Sequence, residues 1–131
     1  MRVIVIGGAG LAEQVADTLH HGGDEVAVID TEPGRESALA KAGLRAVRGD
    51  PLVPSTLEAA GALQADVLVA CTQSDEDNLV ISLLAKKHFN IARVIARVND
   101  PANEELFSPS WGIDALASPA TALVSMIMQT S

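Results

Sequence analysis

Tyrosine is absent from this chain of 131 residues, and cysteine, tryptophan and phenylalanine together supply only four side chains. Without a tyrosine, the chain cannot form the Tyr-x-x-x-Lys pair that transfers a proton in short-chain dehydrogenases, so that enzyme class is excluded. The single cysteine, Cys71, cannot form an internal disulfide, and the chain opens directly on a predicted strand without a secretory signal. We therefore expect a cytoplasmic protein.

Basic residues are also scarce, with nine Lys and Arg against seventeen Asp and Glu and a net charge of -8. Because so few scattered cations cannot neutralise a phosphate backbone, we predict no nucleic-acid partner. No apolar run approaches the roughly 20 residues that span a bilayer, so any membrane connection is expected to run through a partner. His20 and His21 lie at the end of one predicted helix, His88 lies at the end of another, and Cys71 is separate from both, so we predict no metal site.

Short apolar runs alternate with helical patterns along the whole chain. "VIVI", "VAVI" and "VLVA" are continuously apolar, which is typical of central parallel strands covered by helices on both faces. One α/β domain over residues 1–131 is expected. The predicted strands lie near 2–6, 25–29, 44–48, 66–71, 93–98 and 113–117, and the predicted helices near 10–21, 34–42, 54–61, 75–88, 101–108 and 119–129.

A glycine-rich turn follows the first predicted strand. In one register, Gly7, Ala9 and Ala12 stand at the three special positions of a dinucleotide fingerprint; the alternative register begins at Gly8 and places Glu13 against the sheet. We favour the first, because a carboxylate at that packing point would be costly. The free N–H groups at the start of the helix predict an anion site. The residues assigned to this phosphate loop are Gly7, Gly8, Ala9, Gly10 and Leu11.

Asp30 ends the second predicted strand a little over 20 residues beyond the loop, where a carboxylate can accept hydrogen bonds from both ribose hydroxyls. Thr31 follows it and is included in the site. The alternative role for Asp30 is an N-cap of the next helix. Loop and acid together predict a Rossmann-like, doubly wound sheet of about six parallel strands.

Three further residues are predicted at carboxyl ends of strands, the edge where open α/β sheets bind ligands. Asp50 could accept a hydrogen bond from an adenine amino group, or it could cap the turn before Pro51. Thr72 lies near the expected nucleotide. Arg97 could meet a phosphate or another subunit, with a surface ion pair as its alternative.

Several segments of the sequence resemble those of a known protein family. The segments "VIVIGGAGLAEQVADTL", "VAVID", "VRGD", "SDEDNLVISLLAKKHFNIARVIARVNDPANEELF" and "WGIDALASP" resemble the N-terminal nucleotide-binding domain of TrkA-type potassium uptake proteins, also called the KTN or RCK domain. The similarity covers nearly the whole chain, and the segment that begins "DNLVISLLAKK" is far more specific than the glycines.

The resemblance implies a cytoplasmic regulatory subunit that binds NAD(H) or ATP, ADP or AMP. It further implies a homodimer or higher ring that acts on a membrane potassium transporter. Position by position, it matches the glycine loop to phosphate, Asp30 to ribose, Asp50 to the adenine side, and Thr72 to the loop after the fourth strand. Gly10 stands where many members have a phosphate-binding arginine, and the family's C-terminal domain is not present in this chain.

We predict a nucleotide sensor without catalysis; the alternative is the cofactor-binding domain of an NAD-dependent oxidoreductase. Other nicotinamide dehydrogenases place their catalytic groups on a second domain, for which no chain remains. The last helix is apolar around most of its circumference, which predicts a homodimer contact. The residues expected at or near that contact are Phe107, Trp111, Leu123, Ile127 and Met128; for Phe107 and Trp111 the alternative is packing of the crossover.

Overall fold

Six parallel strands form one sheet in the computed structural model, which describes residues 1–129. The strands are β1 (Arg2–Gly7), β2 (Glu25–Asp30), β3 (Arg45–Val47), β4 (Val67–Cys71), β5 (Arg93–Arg97) and β6 (Ala115–Ala117). Their spatial order is β3-β2-β1-β4-β5-β6, which is the doubly wound arrangement predicted from the sequence. The predicted fold class is confirmed.

Both faces of the sheet are buried, as the continuously apolar strands predicted. Val3 and Val5 point to one face and pack with Ala12 and Ala16 of the first helix. Ile4 and Ile6, which alternate with them along β1, point to the other face and belong to the cluster that contains Leu57 and Ile81. Because a strand exposes successive side chains to opposite faces, β1 must be apolar at every position to fill both cores.

Five α-helices connect or follow the strands, and their first residues explain where several of them begin. Pro54 starts α3, where its missing N–H costs no helical hydrogen bond. Ser74 caps α4 by accepting from the Asp77 N–H, and three acidic residues follow in the first turn, where they favour the helix dipole. The helices are α1 (Leu11–His21), α2 (Glu36–Lys41), α3 (Pro54–Ala59), α4 (Asp75–Leu83) and α5 (Pro119–Met128).

Two predicted helices differ in their details. The helix expected over 75–88 is α-helical to Leu83 and then widens into a π-helical turn, Leu84–His88. The helix expected over 101–108 is instead a 3₁₀ segment, Pro101–Leu106, followed by a shorter one, Pro109–Trp111. Proline at the first position of both segments, eight residues apart, leaves each too short for several α-helical turns.

The last helix, α5, is exposed along its full length. Leu123, Val124 and Met126 are 62%, 56% and 64% exposed, although all three are large and apolar. Phe107, expected either at a contact between subunits or in packing of the crossover, is buried in the protein's own core, and Trp111 packs against the same core. Both aromatic side chains therefore pack within the chain, and a contact with a second copy stays a prediction. In residues 1–129, no helix has the length and apolar character needed to cross a membrane.

Candidate functional site

The carboxyl ends of the central strands form the edge where the site residues converge. β1 pairs with β2 on one side and with β4 on the other, so the strand order reverses at this strand. Gly7, the last residue of β1, lies in register with Asp30 of β2 and with Cys71 of β4. In doubly wound sheets, such a reversal opens a crevice beyond the carboxyl ends of the strands, and ligands bind in that crevice.

Gly7 is a glycine because three parts of the protein meet at its α-carbon. A Cβ built there would lie 2.8 Å from the carbonyl oxygen of Cys71, 2.9 Å from its Sγ and 3.2 Å from the Cβ of Ala12. Ala12 is fully buried at this packing point, whereas Glu13 lies to the side and pairs with Arg35. The geometry therefore agrees with the fingerprint register that begins at Gly7.

The rest of the loop turns sharply and leaves the start of α1 open. Ala9 and Gly10 both adopt left-handed backbone conformations, with φ of 55° and 83°. Gly10 is the N-cap of α1, and no side chain caps the helix. A Cβ at Gly10 would meet no atom within 4 Å, so the loop faces open space here. Leu11 begins the helix and is half-buried. An uncapped helix start beside open space has the geometry of an anion site.

Only one of the two carboxylate oxygens of Asp30 has a hydrogen-bond partner in residues 1–129. Its Oδ1 accepts a hydrogen bond from the Glu32 N–H at 2.8 Å, whereas its Oδ2 is buried and has no hydrogen-bond partner in residues 1–129. The alternative role as a helix N-cap is wrong, because α2 begins only at Glu36 and Arg35 is its N-cap. Thr31 is exposed, and its Oγ1 would lie 2.6 Å from a Cβ at Gly8, so Gly8 allows the phosphate loop and β2 to approach each other closely.

The structure places Asp50 and Arg97, two further predicted site residues, in different environments. The exposed Asp50 accepts from the Leu52 N–H at 2.9 Å, which is the turn-capping alternative, and an adenine contact from it stays a prediction. Arg97 is half-buried at the end of β5, and its Nε is buried with no hydrogen-bond partner in the part of the chain that the structure describes. The alternative role for Arg97, a surface ion pair, does not fit this environment, because its Nε is buried and has no partner in the described residues.

Thr72 lies beside β4 but turns inward. Its side chain is buried, and its Oγ1 donates to Oδ1 of Asn78 at 2.7 Å while its N–H donates to the same oxygen at 3.0 Å. The Thr72 hydroxyl is thus used inside the protein. Any nucleotide contact by Thr72 remains a prediction and would have to compete with this bond.

Sequence reasoning missed the residue that organises this half of the edge, which is Asn78. Its amide is fully buried on α4 and donates to the carbonyl oxygens of Thr72 at 3.0 Å and Arg97 at 2.9 Å. Asn78 therefore ties the end of β4 to the end of β5. The available signal was an amide on the apolar face of a helix, three residues after Asp75.

Asp75 extends the same network. It accepts hydrogen bonds from the N–H groups of Asn99 and Asp100 and from the side-chain amides of Asn99 and Asn103, at 2.7 to 3.0 Å. Burial opposes ionisation of Asp75, but the hydrogen bonds from Asn103, Asn99 and Asp100 outweigh it and lower the pKa of this carboxyl. The carboxylate is fixed and charged as part of the protein's own structure.

Cys71 lies beneath the phosphate loop with its thiol buried. Burial raises the pKa of the Cys71 thiol to about 11; the Arg97 charge acts in the opposite direction, and the Asp30 charge adds to the increase. The thiol is therefore neutral near pH 7 and is a poor nucleophile there.

A separate cleft lies at the opposite, amino-terminal edge of the sheet. It encloses about 630 Å³ and is lined in part by Arg2, His20, Asp24, Arg45 and Gln64. Its lining mixes both signs of charge and includes none of the predicted site residues. Within residues 1–129, no three His, Cys, Asp or Glu side chains are grouped so as to hold a metal ion.

Comparison with known proteins identifies the family. The sequence matches the TrkA-N domain over residues 3–119. The chain belongs to the TrkA-N domain family. It is 39% identical over 127 residues to the Trk system potassium uptake protein TrkA of Mycobacterium tuberculosis (strain ATCC 25618 / H37Rv). That alignment covers 97% of this chain and 58% of the relative, so the chain spans a little over half the relative's length.

Solved structures share the fold of this TrkA-N domain. The TrkA-N domain of the inner membrane protein ybaL from Escherichia coli superposes with a TM-score of 0.88 at 17% identity, over 98% of this chain and 95% of that one. The GsuK channel bound to NAD gives a TM-score of 0.76 at 20% identity, over 88% of this chain and 21% of that one. The Kef CTD of Shewanella denitrificans in an AMP-bound form gives 0.79 at 24% identity, over 96% and 76%.

Proposed function

We propose that this TrkA-N domain senses an adenine nucleotide, NAD(H) or ATP, ADP or AMP, and regulates potassium transport through a membrane partner. The observation that carries the proposal is the buried, unpaired Oδ2 of Asp30 beside the uncapped start of α1. A buried acceptor without a partner costs roughly 1–3 kcal/mol, which a ribose hydroxyl would recover. The nucleotide-bound structures of the same fold support this assignment.

Different residues of the site would bind different parts of such a nucleotide. The N–H groups at the start of α1 and the open side of Gly10 face where a pyrophosphate would lie. Asp30 would accept from the ribose hydroxyls, and Arg97, with its unpaired Nε, would supply a cation from the other side of β1. Asp50 and Thr31 would border the adenosine end.

The proposed role is regulatory, not enzymatic. The thiol of Cys71 is neutral, and the hydroxyl of Thr72 donates to Asn78, so neither group is prepared to move a proton. A bound nucleotide would then act only through its different affinity for two arrangements of the assembly. The name of the TrkA relative supports a potassium transporter as the partner. We propose that this domain lies on the cytoplasmic side of that partner.

Calorimetry of the chain with NADH, NAD, ATP, ADP and AMP tests the proposal, with absorbance at the nicotinamide band as a check for turnover. We expect saturable binding of at least one nucleotide and no NADH oxidation with added small carbonyl substrates. Absence of binding by all five would overturn the sensor role. Steady turnover would instead favour the oxidoreductase alternative.

We also propose that α5 joins two copies of the chain. Leu123, Val124 and Met126 form an exposed apolar surface on one short helix, and two-fold association is the commonest way to cover such a surface. Light scattering at roughly tens of micromolar protein should report a dimer. Met126→Glu should give a monomer, and Gln14→Glu, an exposed change on α1, should not. A monomeric wild-type chain would contradict the proposal.

A further inference from the structure

Arg35, like Asp30 and Arg97, carries a buried side-chain atom without a hydrogen-bond partner in residues 1–129, and it lies at the edge of the proposed nucleotide site. It lies five residues after Asp30 in the loop between β2 and α2, where it is the N-cap residue of α2. Its Nε is buried and has no hydrogen-bond partner in residues 1–129. The guanidinium therefore still has a donor to offer a ligand.

The other end of the same guanidinium is held by Glu13. Nη2 of Arg35 forms an ion pair with Oε2 of Glu13, and both side chains are about two-thirds buried, at 32% and 29% exposure. Glu13 belongs to the first turn of α1, directly after the phosphate loop. The ion pair thus links the loop after β2 to the start of α1, which are the two segments that would enclose the ribose.

A cation in this loop has a specific meaning in a doubly wound fold. An acid at the end of the second strand favours a free ribose 2′-hydroxyl, whereas a nearby arginine accommodates a 2′-phosphate. This chain contains both residue types, Asp30 and Arg35. The charge of Arg35 is neutralised by Glu13, so it attracts a 2′-phosphate less strongly than a free arginine would.

We infer that Glu13 is a specificity-determining residue, which withholds Arg35 from the 2′-phosphate of NADP(H). The inference rests on the proposed nucleotide-binding function. Discrimination then has two parts: Asp30 repels the phosphate directly, and Glu13 removes the cation that would bind it. Loss of the Glu13 charge releases Arg35 without altering the ribose acid.

The test is the ratio of the Kd for NADPH to the Kd for NADH, because these ligands differ only in the 2′-phosphate and the ratio cancels any effect that is common to both. The wild-type chain should favour NADH. Glu13→Gln should lower the ratio by about tenfold, the equivalent of one charge-assisted hydrogen bond. Adding Arg35→Ala to Glu13→Gln should restore the wild-type ratio.

Glu36→Gln is the matched control. It removes one carboxylate from the residue next to Arg35, but Glu36 pairs with the exposed Arg48 at 3.5 Å and not with Arg35. Its ratio should stay at the wild-type value. Glu13→Asp, which retains the charge but shortens the side chain by one methylene, provides a second way to break the pair if Glu13→Gln does not fold.

The possible outcomes distinguish failure of this inference from failure of the proposed function. If NADH binds but neither Glu13 variant changes the ratio, the inference is wrong and the nucleotide site stands. If the gain in NADPH affinity persists after Arg35→Ala, the effect belongs to the lost Glu13 charge alone, and the role given to Arg35 is wrong. If the wild-type chain binds neither NADH nor any adenine nucleotide, the proposed function and this inference both fall.

Discussion

Asp75 and Asp30 both lie near the carboxyl end of a central strand, but the protein treats their carboxylates differently. Asp75 accepts four hydrogen bonds from the segment after β5, whereas Asp30 accepts one and keeps a buried oxygen without a partner in residues 1–129. In the β4–β5 half of the edge, the carboxylate of Asp75 and the carbonyls of Thr72 and Arg97 are bound by the protein's own amides, whereas the buried Nε of Arg97 has no partner in residues 1–129. The β1–β2 half keeps an unpaired acceptor that only a ligand or water can satisfy.

This comparison separates residues that stabilise the fold from residues that are available for binding. Substitutions in the Asn78 and Asp75 network of the β4–β5 half should lower the free energy of unfolding, and substitutions at Asp30 in the β1–β2 half should lower ligand affinity. Both halves contain polar residues at strand ends, so residue type alone does not distinguish them.

The largest effect is expected at Asn78. Asn78→Ala leaves the Arg97 carbonyl and the Thr72 N–H without their Asn78 partner, whereas the Thr72 carbonyl keeps its hydrogen bond from the Asn99 side-chain amide. We expect the free energy of unfolding to fall by about 3 kcal/mol, because each unpaired buried group costs roughly 1–3 kcal/mol and relaxation recovers part of it. Denaturant titration measures the loss, with the exposed neighbouring change Gln73→Ala as control. A loss equal to the control's would show that the network is not needed for stability.

Cys71, which lies between the two halves, predicts a dependence of stability on pH. Because burial raises the pKa of its thiol from 9.0 to about 11, the unfolded chain loses this proton first as the pH rises. Its contribution is fully present below pH 9 and is lost as the pH rises through about 11, for a total of about 3 kcal/mol. Urea titrations at several pH values should show this slope in the wild type and not in Cys71→Ala. Equal slopes would contradict the burial of the thiol.

For Asp30→Ala, the comparison predicts weaker binding with an unchanged fold. ADP or NADH should bind more weakly by about 1.5 kcal/mol, roughly tenfold in Kd, because the ribose loses a charged acceptor. The ligand-free melting temperature should stay within a few degrees, since the buried Oδ2 contributes no hydrogen bond to the described residues. Asp30→Asn, which keeps an acceptor for the Glu32 N–H, controls for the local turn. A large drop in the melting temperature of Asp30→Ala would make Asp30 a structural residue.

The smallest effect is expected at Ala9, whose φ of 55° is uncommon for a residue with a Cβ. Ala9→Gly should raise the free energy of unfolding by about 0.5 kcal/mol, because the relief of strain exceeds the extra entropy of the unfolded glycine. Asn90, with a φ of 56°, is the matched site, and Asn90→Gly should gain less because asparagine tolerates this conformation. Thermal melts of both variants measure the difference, and an equal gain at the two sites would contradict this account.

The strands were predictable from sequence because their residues are apolar at every position, and this pattern depends only on burial of both faces of the sheet. The packing role of Gly7 was predictable for a similar local reason, since a fingerprint glycine follows β1. The Asn78 network was not predictable, because its partners are backbone groups of Thr72 and Arg97, and these meet only after β4 and β5 have paired.

The ion pair between Glu13 and Arg35 was likewise not predictable from the sequence. Glu13 and Arg35 lie 22 residues apart, and their ion pair depends on how the loop after β2 folds back over α1. The exposure of α5 was suggested by its composition, whereas the sequence left two roles open for Phe107, because an isolated aromatic residue fits either a core or an interface.

The all-parallel sheet also governs how the chain must fold. Val3 of β1 pairs with Val26 of β2 and with Val67 of β4, and both pairs of strands are parallel. Parallel neighbours cannot be joined by a tight hairpin. Each pairing waits for a long loop to close, which places this domain among the slower folders of its size. β1 is synthesised before β4, so its second edge stays open until β4 has left the ribosome. Until then the nascent chain exposes an unpaired edge of an apolar strand, a state in which chaperone binding would protect it from aggregation.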